Sequence, residues 1–589
     1  MSSLHKLALA GLFALLASGT SAQSRNEGVK LSPDTSLAGN YLAGRLAGSL
    51  RDSDAAAAYF GAALKGDPKN PELLERAFVW VLAEGDVEDA LRLAERVAQI
   101  NPSNREARLA LAVRAIKARQ FLTARTQLDQ AARGPLGDLT ATLLSAWTSL
   151  GSGDSAKAMQ TIEKLRSAEW SAALRDFHAG LILDAAGKTA DAKTRLEASY
   201  NADRSALRVV EALARNRSRS GTKEEALAPV AEFEAVLPRH PLIRQLRADI
   251  EADKKLPPLV DDVREGAAEV LYGLAGALAR QRGEDLAIIY LRLALHLDPT
   301  HNMAIITLAD IYETLNQHAR AIEVYEMLPA DSPLKHNAEI QAALALDKLD
   351  RTEEAIKKLQ AQIDADPKDY ESILALGNIY RSRERFGEAA DTYSKAVDLV
   401  PAPTKAHWTL FYVRGIAFER SKQWDKAEVD LKKALELNPD QPLVLNYLGY
   451  SWVDQGRNLD EGLEMIKKAV ELQPDDGFIV DSLGWAYYRL GRYEEAVTEL
   501  ERAVELRPQD PVLNDHLGDA YWKVGRQLEA QFQWSHAKEL KPEAAELAKI
   551  EAKLKNGLVE TPTSAAGNTS SPPAAPAEGA APVEKPNGG

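Results

Sequence analysis

Two short strings in this 589-residue chain carry the letters of phosphate chemistry. Gly187-Lys188-Thr189 looks like the close of a phosphate-binding loop, where glycine backbone cradles the phosphates and the lysine reaches them. The motif needs glycine five residues before Gly187, and that position is Ile182, with no strand pattern ahead of it. Gly151-Ser152-Gly153-Asp154-Ser155-Ala156 matches a dinucleotide fingerprint in letters, but it too lies between helical patterns and lacks the strand that gives the motif meaning. Of ten scattered histidines the closest pair is His296 and His301, and a spacing of five does not put two imidazoles on one helix face. Serine-hydrolase elbows and zinc-protease motifs are missing. The chain has no cysteine, which removes thiolate nucleophiles, thiolate metal ligands, disulfides and any lipid attached through cysteine. Acidic pairs such as Glu494-Glu495 sit at helix starts, where they complement the helix dipole. The residues therefore predict no catalytic group, no metal and no cofactor: the chain reads as a non-enzyme.

The elements that would position any site come from a repeat. Ala56, Ala90, Ala124, Ala158, Ala192 and Ala226 fall 34 residues apart, and the series resumes as Ala287, Ala321, Ala355, Ala389, Ala427, Gly462, Ala496 and Ala530. A second small residue precedes nearly all of them by twelve, as at Gly44, Ala112, Gly180, Ala275, Gly377, Gly415, Gly484 and Gly518. Proline keeps step at Pro299, Pro333, Pro367, Pro401, Pro439, Pro474, Pro508 and Pro542. Small residues let two helices of a hairpin approach closely, and proline fixes where the second helix stops. The unit length and both small-residue markers resemble the tetratricopeptide-repeat family across about residues 37–544. That resemblance implies an all-α superhelical solenoid of about fourteen helix-turn-helix units in two segments.

The expected organisation is a signal peptide over 1–22, a short segment 23–36, six units over 37–240, a connector over 241–267, eight units over 268–544, a capping helix over 545–555 and a Pro/Ala-rich disordered tail over 556–589. The leader reading rests on the run Leu7–Ala17, which is too short to span a bilayer, followed by small residues up to Ala22. It predicts export to the periplasm with cleavage before Gln23. The connector reading rests on Pro257-Pro258, which forbid a continuous helix. A formal charge of -14 and no clustered basic face argue against nucleic-acid binding. No later stretch is apolar and long enough to cross a membrane.

Each first helix of a unit contributes one stripe to the inner wall of such a solenoid. Counting by helical spacing places Asn446, Tyr450, Phe478, Asp481, Trp485, Tyr488, Arg489, Asp515, Asp519, Trp522 and Lys523 on that stripe in the last three units. Rings with nearby carboxylates suit an extended peptide, because rings supply contact area and acids fix backbone or basic groups. Tetratricopeptide domains that clamp a chaperone's terminal carboxylate use Lys, Asn and Arg on this stripe, and the aspartates here argue against that ligand.

The stretch Leu445–Gly491 is similar to long bacterial envelope repeat adaptors that partner a carboxyl-terminal processing protease and present peptidoglycan hydrolases to it. This implies a periplasmic adaptor whose partners are envelope proteins, including such a protease and such hydrolases. Those adaptors are lipoproteins, and this chain has no cysteine to carry the lipid. Two other functions fit the repeats: an assembly factor for outer-membrane, secretion or exopolysaccharide machinery, and the regulatory part of a glycosyltransferase-type enzyme.

Overall fold

The turn inside each unit explains the two phosphate-like strings. In the computed structural model, which describes residues 36–131, 134–165 and 169–558, one residue of nearly every intra-unit turn takes the left-handed conformation. It recurs in register at Arg51, Gly85, Arg119, Gly153 and Gly187, then at Arg282, Asn316, Asp350, Glu384, Lys422, Gly491 and Gly525; the turn at Gly221 is the exception, being extended, and the longer turn before Leu459 has two such residues, Gly456 and Asn458. Gly153 (φ 82°) and Gly187 (φ 74°) are glycines because that φ is free of strain only without a Cβ. Arg119 (φ 59°) stands at the same place in its own turn, so the position is conformational.

These turns join pairs of antiparallel helices. The first six hairpins are α1 (Leu37–Ser49) with α2 (Ser53–Gly66), α3 (Pro71–Glu84) with α4 (Val87–Ile100), α5 (Arg105–Lys117) with α6 (Phe121–Ala131), α7 (Gly134–Gly151) with α8 (Ser155–Ile162), α9 (Glu169–Ala185) with α10 (Thr189–Ala202), and α11 (Leu207–Ser220) with α12 (Lys223–Val236). A lone helix α13 (Pro241–Glu251) follows. Eight more hairpins are α14 (Val263–Arg280) with α15 (Glu284–Leu297), α16 (Asn302–Thr314) with α17 (His318–Glu326), α18 (Lys335–Lys348) with α19 (Thr352–Ala365), α20 (Tyr370–Ser382) with α21 (Phe386–Asp398), α22 (Trp408–Arg420) with α23 (Trp424–Leu437), α24 (Pro442–Asp454) with α25 (Leu459–Leu472), α26 (Gly477–Arg489) with α27 (Tyr493–Leu506), and α28 (Pro511–Lys523) with α29 (Gln527–Glu539). The last helix is α30 (Ala544–Asn556). No strand occurs among the described residues. The expected leader and residues 559–589 of the expected tail lie outside them.

The packing follows the repeat. All thirteen alanines of the 34-residue series are fully buried at 0 % exposure, and Gly462 is buried in its place. At the crossing of α24 and α25 both partners are glycine: a Cβ on Gly449 would stand 2.6 Å from the carbonyl oxygen of Gly462. Several helix starts are capped by short polar side chains. Asn70 accepts from the backbone N–H of Glu72 and Leu73 at 3.1 and 3.2 Å, and Asp510 accepts from Val512 and Leu513 at 2.9 and 3.2 Å.

Two compact units result. The first holds residues 36–238 and Leu246–Ala304; the second holds Arg239–Gln245 and Ile305 onward. The division therefore falls later than the proline-bearing connector. The connector is fastened within the first unit: Leu256 and Val260 are buried, and the Leu256 N–H donates to Ser218 Oγ at 3.2 Å.

The reason for the late division is the placement of α14 and α15. Their small-residue markers, Ala275 and Ala287, read as an ordinary repeat, yet the hairpin lies across the first helices of earlier units. α14 packs on α7, α9 and α5, and α15 packs on α3 and α5. Trp147 on α7 is fully buried, and a Cβ on Gly266 of α14 would meet its ring at 2.5 Å. Tyr290 and Thr140 hydroxyls lie 3.2 Å apart, and Arg292 donates to the Glu84 carbonyl at 2.9 Å. A buried ion cluster ties the hairpin to α11. Arg208 reaches Glu211 at 2.8 Å and Glu269 at 2.5 Å, and His301 Nε2 lies 3.1 Å from Glu269. Burial works against ionising Glu269, but the Arg208 guanidinium and the His301 bond outweigh it and hold that carboxyl well below the usual range.

Candidate functional site

In the second unit the stripe residues come from α24, α26 and α28, which stand in sequence along the repeat stack. The core beneath takes in Leu445, Ile479, Leu483 and Leu513 of the same helices together with Ile466 of α25. The stripe divides into three groups according to what covers each side chain.

An aromatic stack forms the first group. The Trp485 indole lies against the Tyr488 ring at 4.7 Å and 11° and against the His516 imidazole at 4.0 Å and 18°. Trp485 and Tyr488 are half-buried, and the indole Nε1 is buried with no acceptor in the protein. Burial, with Asp519 and Asp515 nearby, raises the Tyr488 hydroxyl above the ordinary tyrosine range, so it stays a neutral donor. Phe478 is packed half-buried beneath the Arg507 guanidinium at 4.4 Å.

An acidic cluster forms the second group. Asp481 is fully buried, with both carboxylate oxygens 3.0 Å from His516 Nδ1. Asp515 and Asp519 are 7 % and 5 % exposed and share one cation, Lys553 of α30, at 2.7 and 2.8 Å. Asp519 also accepts from the Trp534 indole at 2.9 Å, whereas Asp515 Oδ1 is buried with no donor in the protein. Burial raises the Asp519 carboxyl, and although Lys553 works against the shift it still stands at about 6. Burial opposes protonation of His516, but Asp481 and its neighbours raise its pKa overall.

The third group is held by neighbouring repeats. Tyr450 is 2 % exposed and belongs to the core, while Asn446 is half-buried with an Oδ1 that has no donor in the protein. Arg489 bonds the Asp454 carboxylate and donates to the Asp454 carbonyl at 2.8 Å. Trp522 leans on Trp534 at 5.4 Å, and the Lys523 ammonium lies 5.8 Å from the Tyr493 ring centre.

Sequence spacing alone did not place His516, Lys553 or Trp534 in this cluster. His516 stands 35 residues after Asp481, close to one repeat, and that offset was the available signal. Lys553 belongs to a helix that reads as a plain polar cap. Taken together, the exposed edge of the Trp485–Tyr488 stack and the buried acceptors beside it can hold apolar groups and hydrogen-bond donors. Among the described residues no three metal-ligating side chains converge on one point.

Stacked helix hairpins with small residues at nearly every crossing form a tetratricopeptide-repeat solenoid. Family models agree: two tetratricopeptide-repeat models match residues 41–105 and 304–326, and a model of the cilia and flagella-associated protein 70 C-terminal domain matches residues 329–554. Among curated proteins, the chain is 26 % identical over 183 residues to protein O-mannosyl-transferase TMTC1 of Homo sapiens, covering 31 % of this chain and 20 % of that protein. The Mus musculus protein of the same name is also 26 % identical. The chain thus spans about a fifth of the length of these relatives. Among solved structures, the Cut9–Hcn1 hetero-tetramer of APC/C aligns with 89 % of this chain and 97 % of its own at 14 % identity and a TM-score of 0.36. A tetratricopeptide-repeat protein from Parabacteroides merdae aligns with 49 % of this chain and 99 % of its own at 15 % identity and a TM-score of 0.34.

Proposed function

We propose that the protein is a non-enzymatic periplasmic scaffold that captures envelope proteins on the inner stripe of its second unit. The observation that carries this reading is the contrast between the two stripes. In the first unit the first-helix faces of α3, α5 and α7 are covered by the chain's own α14 and α15. In the second unit the stacked Trp485 and Tyr488 stay half-buried on the same stripe as Asp515 and Asn446, each of which has an acceptor oxygen with no donor in the protein. Such a surface takes an extended peptide whose apolar side chains meet the rings while its backbone N–H groups meet the acceptors. The resemblance of Leu445–Gly491 to protease-partnering envelope adaptors makes cell-wall enzymes and a processing protease the first clients to seek, and outer-membrane or export machinery the next.

A second reading draws on the match to O-mannosyl-transferase TMTC1: the chain is a regulatory or substrate-holding part of a glycosyltransferase-type system. Incubating the pure protein with nucleotide-sugar or lipid-linked sugar donors separates the two, since transfer to an acceptor supports only the second.

The test of the scaffold reading is affinity capture from periplasm by the full chain and by Trp485→Ala, with bound proteins identified by mass spectrometry and helicity checked by circular dichroism. Loss of a defined set of envelope proteins by the helical variant is the expected result. An unchanged set moves the binding surface away from this stripe. N-terminal sequencing of the exported protein should begin at Gln23; a start at Met1 would withdraw the export reading.

A further inference from the structure

A second candidate site lies away from the inner stripe, where the start of α13 meets the ends of α19 and α20, all within the second compact unit. The chain leaves α12 through Pro238, and Arg239 takes a left-handed conformation (φ 68°) that turns it into α13, with His240 buried beneath. Arg239 and Arg244 are exposed, and neither has a carboxylate within ion-pair distance among the described residues. Several other arginines of this unit do: Arg383 with Asp347, Arg385 with Glu353, Arg414 with Asp430 and Arg489 with Asp454.

Facing these arginines is the turn between α19 and α20. Asp369 caps α20: its Oδ1 accepts from the Ser372 N–H at 3.2 Å and lies 3.2 Å from His336 Nε2. Its Oδ2 is buried with no donor in the protein, and the side chain is 8 % exposed. Between the two walls is a cavity of about 730 Å³, lined also by Lys368 and Tyr370. That volume lies inside the range of about 300–1,000 Å³ in which small-molecule and cofactor sites fall. Burial raises the Tyr370 hydroxyl while Arg239 opposes the shift, and the phenol remains a neutral donor.

The charges on the walls decide the class of ligand. Arg239, Arg244 and Lys368 offer donors to an anion, and arginine pairs suit carboxylates and phosphates alike. Asp366, Asp369 and Glu371 line the same cavity and would repel a polyanion. A ligand carrying both signs satisfies both walls. We propose that this cavity binds a short amphoteric peptide, with a carboxylate held by Arg239 and Arg244 and an ammonium or amide N–H donated to Asp369 Oδ2. This site is independent of client capture on the inner stripe.

The test is calorimetric titration of the full chain with the tetrapeptide Gly-Ala-Ala-Glu, with its N-acetylated form, and with inorganic phosphate. Binding of the free-amine peptide is expected, with Arg239→Asn plus Arg244→Ala weakening it at least about tenfold, the loss of a charge-assisted contact. Asparagine tolerates the left-handed turn, and both positions are exposed, so the variant keeps its fold. Asp369→Asn, which still caps α20, should weaken the free-amine peptide more than the acetylated one. The proposal is overturned if no peptide binds at millimolar concentration, if the arginine variant binds equally well, or if phosphate binds and displaces the peptide, which would make this a plain anion site.

Discussion

Replacing Arg208 by Met tests whether the α14–α15 hairpin is held against the first unit by its buried ion cluster. The substitution keeps the length of the side chain and removes the guanidinium that Glu269 and Glu211 face at 2.5 and 2.8 Å. Both carboxylates are at most 5 % exposed, so neither can turn to water. Breaking a buried pair by removing one partner costs about 3–5 kcal/mol. Expressed as opening of α14, that is about 150- to 5,000-fold faster amide exchange. In the native protein Glu269 titrates below the ordinary range, so its contribution is present at neutral pH and is lost only when pH falls through that depressed value. In the variant burial dominates and raises the carboxyl, so the penalty is largest at pH 7 and shrinks toward pH 4. Hydrogen exchange followed by mass spectrometry at pH 7 and pH 4.5, normalised to intrinsic rates, reads both effects in peptides covering 263–280. Adding Glu269→Gln to Arg208→Met should restore most of the protection at pH 7. Unchanged exchange in α14, or a loss independent of pH, would refute the idea that this cluster holds the hairpin.

Three further outcomes follow from the structure. The raised pKa of Asp519, about 6, and the raised His516 both contribute stability that is lost as pH rises through those values, so α28 and α30, after normalising to intrinsic exchange rates, should be more protected at pH 5 than at pH 8. Gly449→Ala should destabilise the α24–α25 crossing by about 1–3 kcal/mol, because the new methyl meets a backbone carbonyl that cannot rotate away; a denaturant midpoint equal to wild type would contradict this. Gly187→Ala should cost about 1 kcal/mol in the same measurement through its left-handed φ, and Gly187→Asn less, with no change in nucleotide binding by either variant.

Much of the fold was legible because its determinants are local and periodic. Ala56 or Ala496 marks a helix crossing wherever it sits, since both partners lie within one 34-residue unit. The placement of α14 and α15 was not legible for the converse reason. Ala275 and Ala287 carry the marks of an ordinary hairpin, and the fit of Gly266 to Trp147 joins residues more than a hundred positions apart. The stripe shows the same limit. Helical counting puts Asp515 and Asp519 on one face of α28, but it cannot say that a lysine from α30 covers them. The offset between Asp481 and His516 could be found from the repeat; the charge balance of the cluster could not.

The hairpin laid across the first unit also constrains how the protein can change length. An open solenoid gains or loses a repeat at little cost, because each unit touches only its neighbours. Here the Arg292 guanidinium meets the Glu84 carbonyl across 208 residues of chain, and Tyr290 meets Thr140 across 150. Deleting one 34-residue unit between them would shift every such pair out of register at once. The number of repeats between α3 and α15 is therefore fixed by geometry. The first unit must also complete its packing as a closed loop late in synthesis, once the residues near 290 have left the ribosome, instead of growing turn by turn from its N-terminus.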